Sequence, residues 1–171
     1  MSSKRALPPY RLSLAGTLMA AREAVMAPIR PVLRAADVTE QQWRVLRVLN
    51  DEGRIDPSQL ASSALLFAPS VTRILKELLD RGLIERSHDP QDGRRSIIAI
   101  SEAGKQLVEG AAAHTLHLLD AYTECFGAER LNHLLTEIRA LTDQISDLNL
   151  QNGPIVVPQH PAAPLRAARR K

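Results

Sequence analysis

Hydrophobic periodicity changes its step once along this chain. From Leu83 to Ser87 and from Ser96 to Ile100 the apolar residues form two short strand-like runs. Between them lies Asp89-Pro90-Gln91-Asp92-Gly93, a cluster of turn-forming residues. That arrangement predicts one β-hairpin. On both sides of it the apolar residues return at helical spacing. The chain therefore reads as mainly α with a single small hairpin. The 3% aromatic content argues against a β-sandwich and against stacking platforms for bases.

Helix signals divide the rest. Residues 1–9 are polar, end in Pro8-Pro9 and read as a flexible arm. From Tyr10 to Leu33 the apolar residues lie on two stripes: Leu14, Leu18, Ala21, Val25 and Val32, and Leu12, Met19, Met26 and Leu33. A helix with two apolar stripes contacts two bodies. Pro28 and Pro31 predict a kink or break near its end. Thr39 with Gln42 forms a capping box that opens a helix to about Asn50, with Val45, Leu46 and Leu49 inward. Asp56-Pro57-Ser58-Gln59 starts a short helix. Pro69 opens another, running to about Arg81 and stopped by Gly82. After the hairpin, Ser101 caps a long helix to about Phe126. In the last helix, 128–148, Leu131, Leu134, Ile138, Leu141, Ile145 and Leu148 alternate steps of three and four, the seam of a coiled coil. Residues 149–171, with Pro154, Pro158, Pro161 and Pro164, read as a disordered basic tail.

Charge alone does not define a function. The 171 residues carry +3, yet 151–171 hold four cations and no acid, which leaves −1 in 1–150. Residues 1–53 carry +3, residues 54–100 carry +1 and residues 101–150 carry −5, so the polarity is local. One cysteine excludes an intrachain disulfide framework. No run of about 18 apolar residues marks a membrane span, and the N-terminus lacks a signal-peptide pattern. A cytoplasmic location is the expectation. No phosphate-binding glycine loop, nucleophile elbow or zinc-protease helix is present, so no enzyme is expected.

Three helices followed by a two-stranded hairpin is the winged-helix order. In helix 69–81 the outer positions hold Ser70, Thr72, Arg73 and Lys76, small or basic side chains suited to a major groove. At the hairpin tip, Arg94 and Arg95 follow Asp92, and an arginine on a slim loop fits a minor groove. The plain alternative for both groups is solvated surface; Glu77 and Asp80 show that the helix face is not purely basic.

Here the sequence resembles the MarR-type regulators. Asp92-Gly93-Arg94-Arg95-Ser96-Ile97-Ile98-Ala99-Ile100-Ser101 is similar to that family's wing signature, and Glu102-Ala103-Gly104-Lys105 to the start of its next helix. The resemblance covers about residues 10–148. Ala21-Arg22-Glu23, Met26, Arg30-Pro31 and Thr39-Glu40-Gln41-Gln42-Trp43-Arg44 resemble the branch of homoprotocatechuate-operon and nicotinate-catabolism repressors. The resemblance implies a winged helix-turn-helix lobe, 37–100, and a helical dimerisation region, 10–36 with 101–148. It implies a homodimer on a double-stranded DNA operator, released by a small aromatic acid effector. The seam at 131–148 independently calls for a partner helix, and two-fold symmetry predicts a pseudo-palindromic operator.

Candidate effector-binding residues are Arg22 and Arg30, which can hold a carboxylate, and Met26, Trp43 and His114. Core packing competes for Trp43 and an internal salt bridge for Arg22. His114, His117 and Asp120 recur at a spacing that suits zinc, but solvated or interface groups are the favoured reading, and neither metal nor cofactor is expected. Cys125 reads as a small buried apolar residue. The alternatives are a thiol-redox regulator of the same fold and a protein-binding winged-helix scaffold without DNA affinity.

Overall fold

A computed structural model of the chain describes residues 6–89, 92 and 95–152, with the side chains of 149–152 excepted. Among them are seven α-helices: α1 Leu14–Met26, α2 Arg30–Ala35, α3 Glu40–Glu52, α4 Pro57–Ser63, α5 Ala68–Asp80, α6 Glu102–Phe126 and α7 Ala128–Asn152. Strands β1, Ile84–His88, and β2, Ser96–Ile100, lie between α5 and α6. The hairpin is antiparallel, in register from Ile84 opposite Ile100 to His88 opposite Ser96. The chain divides into two compact units, Met1–Ala121 and Tyr122–Lys171.

Local chemistry explains the boundaries. The Thr39 hydroxyl accepts from the Gln42 amide at 3.2 Å, and the Gln42 side chain accepts from the Thr39 amide at 2.9 Å, closing the capping box of α3. Asp56 Oδ1 accepts from the amides of Ser58 and Gln59 at the start of α4. The expected helix from Tyr10 to Leu33 is three pieces: a 3-10 turn at Tyr10–Leu12, then α1, then α2. The break falls at residues 27–29, around Pro28. Pro31 sits in the first turn of α2, where its missing N–H costs nothing, so it helps to begin a helix.

The first unit is organised around a buried cluster in which Leu46, Leu49, Leu60, Ile74, Leu78 and Ile98 are essentially inaccessible. They come from α3, α4, α5 and β2. Ile55 adds a bridge that sequence periodicity does not reveal: its amide donates to the Ile98 carbonyl and its carbonyl accepts from the Ile98 amide. The hairpin base is thereby tied to the turn between α3 and α4. Ser101 ties it to α6, donating to the Gly82 carbonyl at 2.6 Å and accepting from the Gly104 amide at 3.1 Å. Gly104 itself is required by space: a Cβ there would stand 2.1 Å from the Leu83 carbonyl oxygen.

In the second unit, α7 buries none of its described side chains. Leu131, Ile138 and Leu141 are half-covered, and Leu134, Ile145 and Leu148 are exposed. Arg130 lies over the Phe126 ring at 4.3 Å. Two expectations are corrected. Helix α7 runs to Asn152 because no helix breaker occurs before Gly153-Pro154, so 149–152 are not tail; residues 153–171 lie outside the described residues. Cys125 is exposed in the single chain, since the end of α6 has no core of its own against which to bury it.

Candidate nucleic-acid interface

Helix α5 buries Val71, Ile74, Leu75 and Leu78 against the lobe. The 3.6-residue repeat then turns Thr72, Arg73 and Lys76 to solvent, with Ser70 half-buried at their edge. Arg73 meets the Glu77 carboxylate at 3.3 Å, one turn along, and the other Glu77 oxygen accepts from Gln42 Nε2 at 2.9 Å. The guanidinium is thus leaned along the helix by a carboxylate that is itself held by α3. Thr72 and Lys76 also border a hollow of about 360 Å³ beneath α5, closed by Pro57, Arg86 and Ile98 among others. Arg86, on β1, donates to Ser96 Oγ at 2.5 Å across the hairpin.

At the wing, Asp92 is exposed and its carbonyl accepts from the Arg95 amide at 2.9 Å. Arg95 reaches back to Asp56 at 3.5 Å, so one carboxylate caps α4 and anchors the wing. Arg94 lies outside the described residues. Arg54, which sequence reading passed over, donates to Ser87 on β1 at 2.9 Å. Nothing in its sequence context sets it apart from other surface arginines.

The candidate effector residues do not come together as one site. Arg22 and Arg30 close a four-membered charge cluster with Glu23 and Glu40. Arg30 Nε meets Glu40 at 2.5 Å, Arg30 Nη2 meets Glu23 at 2.6 Å, Arg22 meets Glu23 at 2.9 Å, and Arg22 also pairs with Glu40. Hydrogen bonding from Arg30 holds the Glu40 carboxyl below the usual carboxylate range, against partial burial and with help from Arg22. The same contact with Glu40, then Glu23, raises Arg30. Both guanidiniums are thus paired with internal carboxylates, the salt-bridge alternative weighed for Arg22. Met26 is half-buried against the core, and Trp43 is buried with 6% of its surface accessible. His114 is exposed on α6.

A further arginine lies near Trp43, its Nη2 3.5 Å from the Asp51 carboxylate one turn along. Arg47 stands over the Trp43 ring, 5.8 Å from its centre. It lines a cleft of about 230 Å³ between α3 and α6, with Asn50, Val108, Glu109, Ala112, Thr115 and Leu116. Its Nε is buried and without a hydrogen-bond partner; only Arg44 Nε shares that condition among the described residues. Arg44, one turn earlier on α3, donates to the carbonyls of Ala64 and Leu65 at 3.1 and 3.2 Å. Sequence spacing places Arg47 one turn after Trp43 but carries no mark of the cleft.

A helix-turn-helix closed by an antiparallel wing, with small and basic residues on the outer face of its second helix, defines a winged-helix transcription regulator. The chain belongs to the MarR family: the pattern of that family matches residues 38–96, from the start of the lobe to the first residue of β2. It is 36% identical over 132 residues to the HTH-type transcriptional regulator FarR of Neisseria gonorrhoeae, covering 75% of this chain and 90% of that one. It is 35% identical over 132 residues to the homoprotocatechuate degradative operon repressor of Escherichia coli, covering 75% and 89%. Among solved structures, NadR in complex with 4-hydroxyphenylacetate superposes with a TM-score of 0.71 at 34% identity, covering 82% of this chain and 96% of that one. Among the described residues, no helix is long and apolar enough to cross a membrane.

Proposed function

We propose that the chain works as a homodimeric repressor of a pseudo-palindromic operator, released by a small aromatic carboxylic acid. Each copy sets α5 into a major groove through Ser70, Thr72, Arg73 and Lys76. The wing, with Asp92, Arg94 and Arg95, reaches the neighbouring minor groove. Residues 37–100 form the DNA-binding lobe; 10–36 and 101–148 form the dimerisation region. Two surfaces support that division: the seam Leu131, Leu134, Ile138, Leu141, Ile145 and Leu148, of which the single chain half-covers three and leaves three exposed, and the exposed Leu12, Leu14, Leu18, Met19 and Val25. Apolar residues in such number call for a partner.

The observation that carries the effector reading is the cleft beside Arg47. A cation held only at 3.5 Å by Asp51, the apolar side chains of Val108, Ala112 and Leu116 and an adjacent tryptophan suit an acid with one aromatic ring, against the repulsion of Glu109 in the same lining. At about 230 Å³ the cleft is smaller than the roughly 300–1,000 Å³ of sites for drug-sized ligands, which limits its occupant to a single-ring acid. The likeness to a 4-hydroxyphenylacetate-bound relative and to a homoprotocatechuate-operon repressor supports the class and favours a hydroxylated phenylacetate over a hydroxylated nicotinate as the compound whose catabolism is controlled. By linkage, the acid binds the DNA-incompetent state more tightly, and DNA weakens the acid by the same factor.

The test is gel retardation of the DNA upstream of the chain's own gene, with 4-hydroxyphenylacetate and a hydroxynicotinate titrated in. Retardation by a species of two chains, reversed by one of these acids and not by its amide, is the expected result. Retardation that neither acid reverses overturns the effector assignment. Absence of any sequence-preferring DNA complex overturns the reading as a whole.

A further inference from the structure

The turn that delivers the chain into α5 holds two residues that local physics disfavours. Leu65, just past the end of α4, has a φ of 52°. Glycine is the usual residue in that left-handed position, because a side chain there clashes with the following carbonyl. Phe67 is the N-cap of α5, where Ser, Thr, Asp or Asn normally supplies an oxygen, and here no side chain caps the helix. Both side chains stand in solvent, Leu65 83% and Phe67 77% exposed, while Leu66 between them packs against the core. Neither strain nor the missing cap is offset by burial within the chain.

The turn is also held firmly. Its backbone follows a helix-end pattern, with the Leu66 amide bonded to the Ala61 carbonyl at 2.9 Å. Arg44 clamps the carbonyls of Ala64 and Leu65 from α3. From Ala64 to Ser70 there is neither an acid nor a base. A rigid, uncharged, apolar knuckle beside the face of Thr72, Arg73 and Lys76 does not suit phosphate, which calls for cations. It suits the one apolar group that a major groove displays, the C5-methyl of thymine.

We propose that Phe67, with Leu65 beside it, is a specificity-determining contact to thymine methyl groups in each half-site. This rests on the DNA-binding reading above. Arg73 and Lys76 supply phosphate or guanine contacts, whereas the knuckle selects the thymines at the edge of the sequence they address.

The experiment removes only the methyl. Sites are selected from random 30-base-pair duplexes with the full-length wild-type chain. The enriched site is remade with deoxyuridine replacing one thymidine at a time, and affinities are measured for wild type, Phe67→Ser and Leu65→Asn. Ser installs the missing cap and Asn tolerates the left-handed backbone, so each variant keeps or gains helix stability. For wild type, deoxyuridine at one or two positions per half-site is expected to cost about fourfold, the equivalent of one buried methyl. At those positions Phe67→Ser is expected to lose the distinction, with a ratio below about 1.5, and Leu65→Asn to reduce it. A methyl ratio unchanged in Phe67→Ser, or no methyl effect at any position, overturns the proposal while leaving DNA binding intact; the second is the result if the knuckle instead serves a protein partner. Failure to enrich any site overturns the DNA-binding reading itself.

Discussion

Replacing Arg47 by Met should weaken binding of an aromatic acid about tenfold without destabilising the fold. The magnitudes follow from what Arg47 does in the free chain. Its contact with Asp51 is 3.5 Å long between exposed groups, worth at most about 0.3–0.5 kcal/mol. Its position 5.8 Å from the Trp43 ring adds about 0.5 kcal/mol at a partly exposed site. Against these stands the buried, unpaired Nε, whose desolvation costs about 1–3 kcal/mol and is relieved when methionine replaces it. The net change in stability therefore runs from about zero to about 2 kcal/mol in favour of the variant. A carboxylate bound to the guanidinium makes charge-assisted hydrogen bonds worth about 1.5–3 kcal/mol, and solvent access to the cleft selects the lower end, about tenfold in Kd. Calorimetric titration with 4-hydroxyphenylacetate and with its amide closes the cycle. Wild type should prefer the acid about tenfold, and Arg47→Met should bind both alike. An Arg47→Met chain of unchanged or raised melting temperature that still prefers the acid would refute the assignment of the carboxylate to Arg47.

Four further outcomes are expected. The folded-state pKa of Glu40 lies below the ordinary 4.5, so its ion pairs stabilise the chain above about that pH and are lost as pH falls through the depressed value. Urea midpoints of wild type and Glu40→Gln should differ at pH 7 and converge in acid; a gap that persists at the lowest pH would show that charge is not its cause. Ile98→Ala should cost about 2–3 kcal/mol in urea unfolding, the lower part of the range for such truncations, because Ile98 already borders the hollow under α5. A cost below about 1 kcal/mol would mean that the hairpin base is not part of the core. Arg94→Ala should weaken binding to all duplexes and lower the slope of log K against log salt by about one, checked by titration at several salt concentrations; an unchanged slope removes Arg94 from the phosphate or groove contacts. Arg44→Met should leave acid affinity in the free chain within about twofold but reduce the factor by which acid and operator oppose each other, read from acid titrations with and without operator; an undiminished factor excludes Arg44 from the coupling.

What was legible in the sequence was what is local. The Thr39 capping box and the Asp56-Pro57 helix start are set by atoms within three residues of each other, so reading them needs no knowledge of the fold. The hairpin between Ile84 and Ile100 is likewise marked by its own turn. The Ile55–Ile98 bridge joins residues 43 positions apart through a single pair of backbone groups, and one residue has no periodicity to detect. The arginines failed for a related reason. Arg22, Arg30, Arg44 and Arg47 have similar sequence surroundings, yet two are taken up by Glu23 and Glu40, one by backbone carbonyls, and one borders a cleft. Which carboxylate or carbonyl an arginine finds depends on which helices meet, and that is a tertiary fact. Leu65 and Phe67 were passed over because apolar residues in sequence look like core; only the fold shows them in solvent.

These contacts converge on α3. Glu40, Arg44, Arg47 and Asp51 follow steps of four, three and four, which places them on one stripe of the helix. At its start Glu40 is tied to Arg22 of α1 and Arg30 of α2; in the middle Arg44 holds the turn that leads into α5; one turn later Arg47 borders the cleft proposed for the effector. A closely packed helix shifts as a body rather than bending at one side chain, since its other face is locked by Val45, Leu46 and Leu49. On the proposed reading, an acid that draws Arg47 toward the cleft acts on Arg44, and through it on the turn that carries Leu65 and Phe67. The energy required is modest: a coupling of about 1–3 kcal/mol, or 5–150-fold, is what separates a bound operator from a released one at ordinary concentrations. On the proposed mechanism, the same rigidity that presents the knuckle to DNA is what makes it responsive to the cleft.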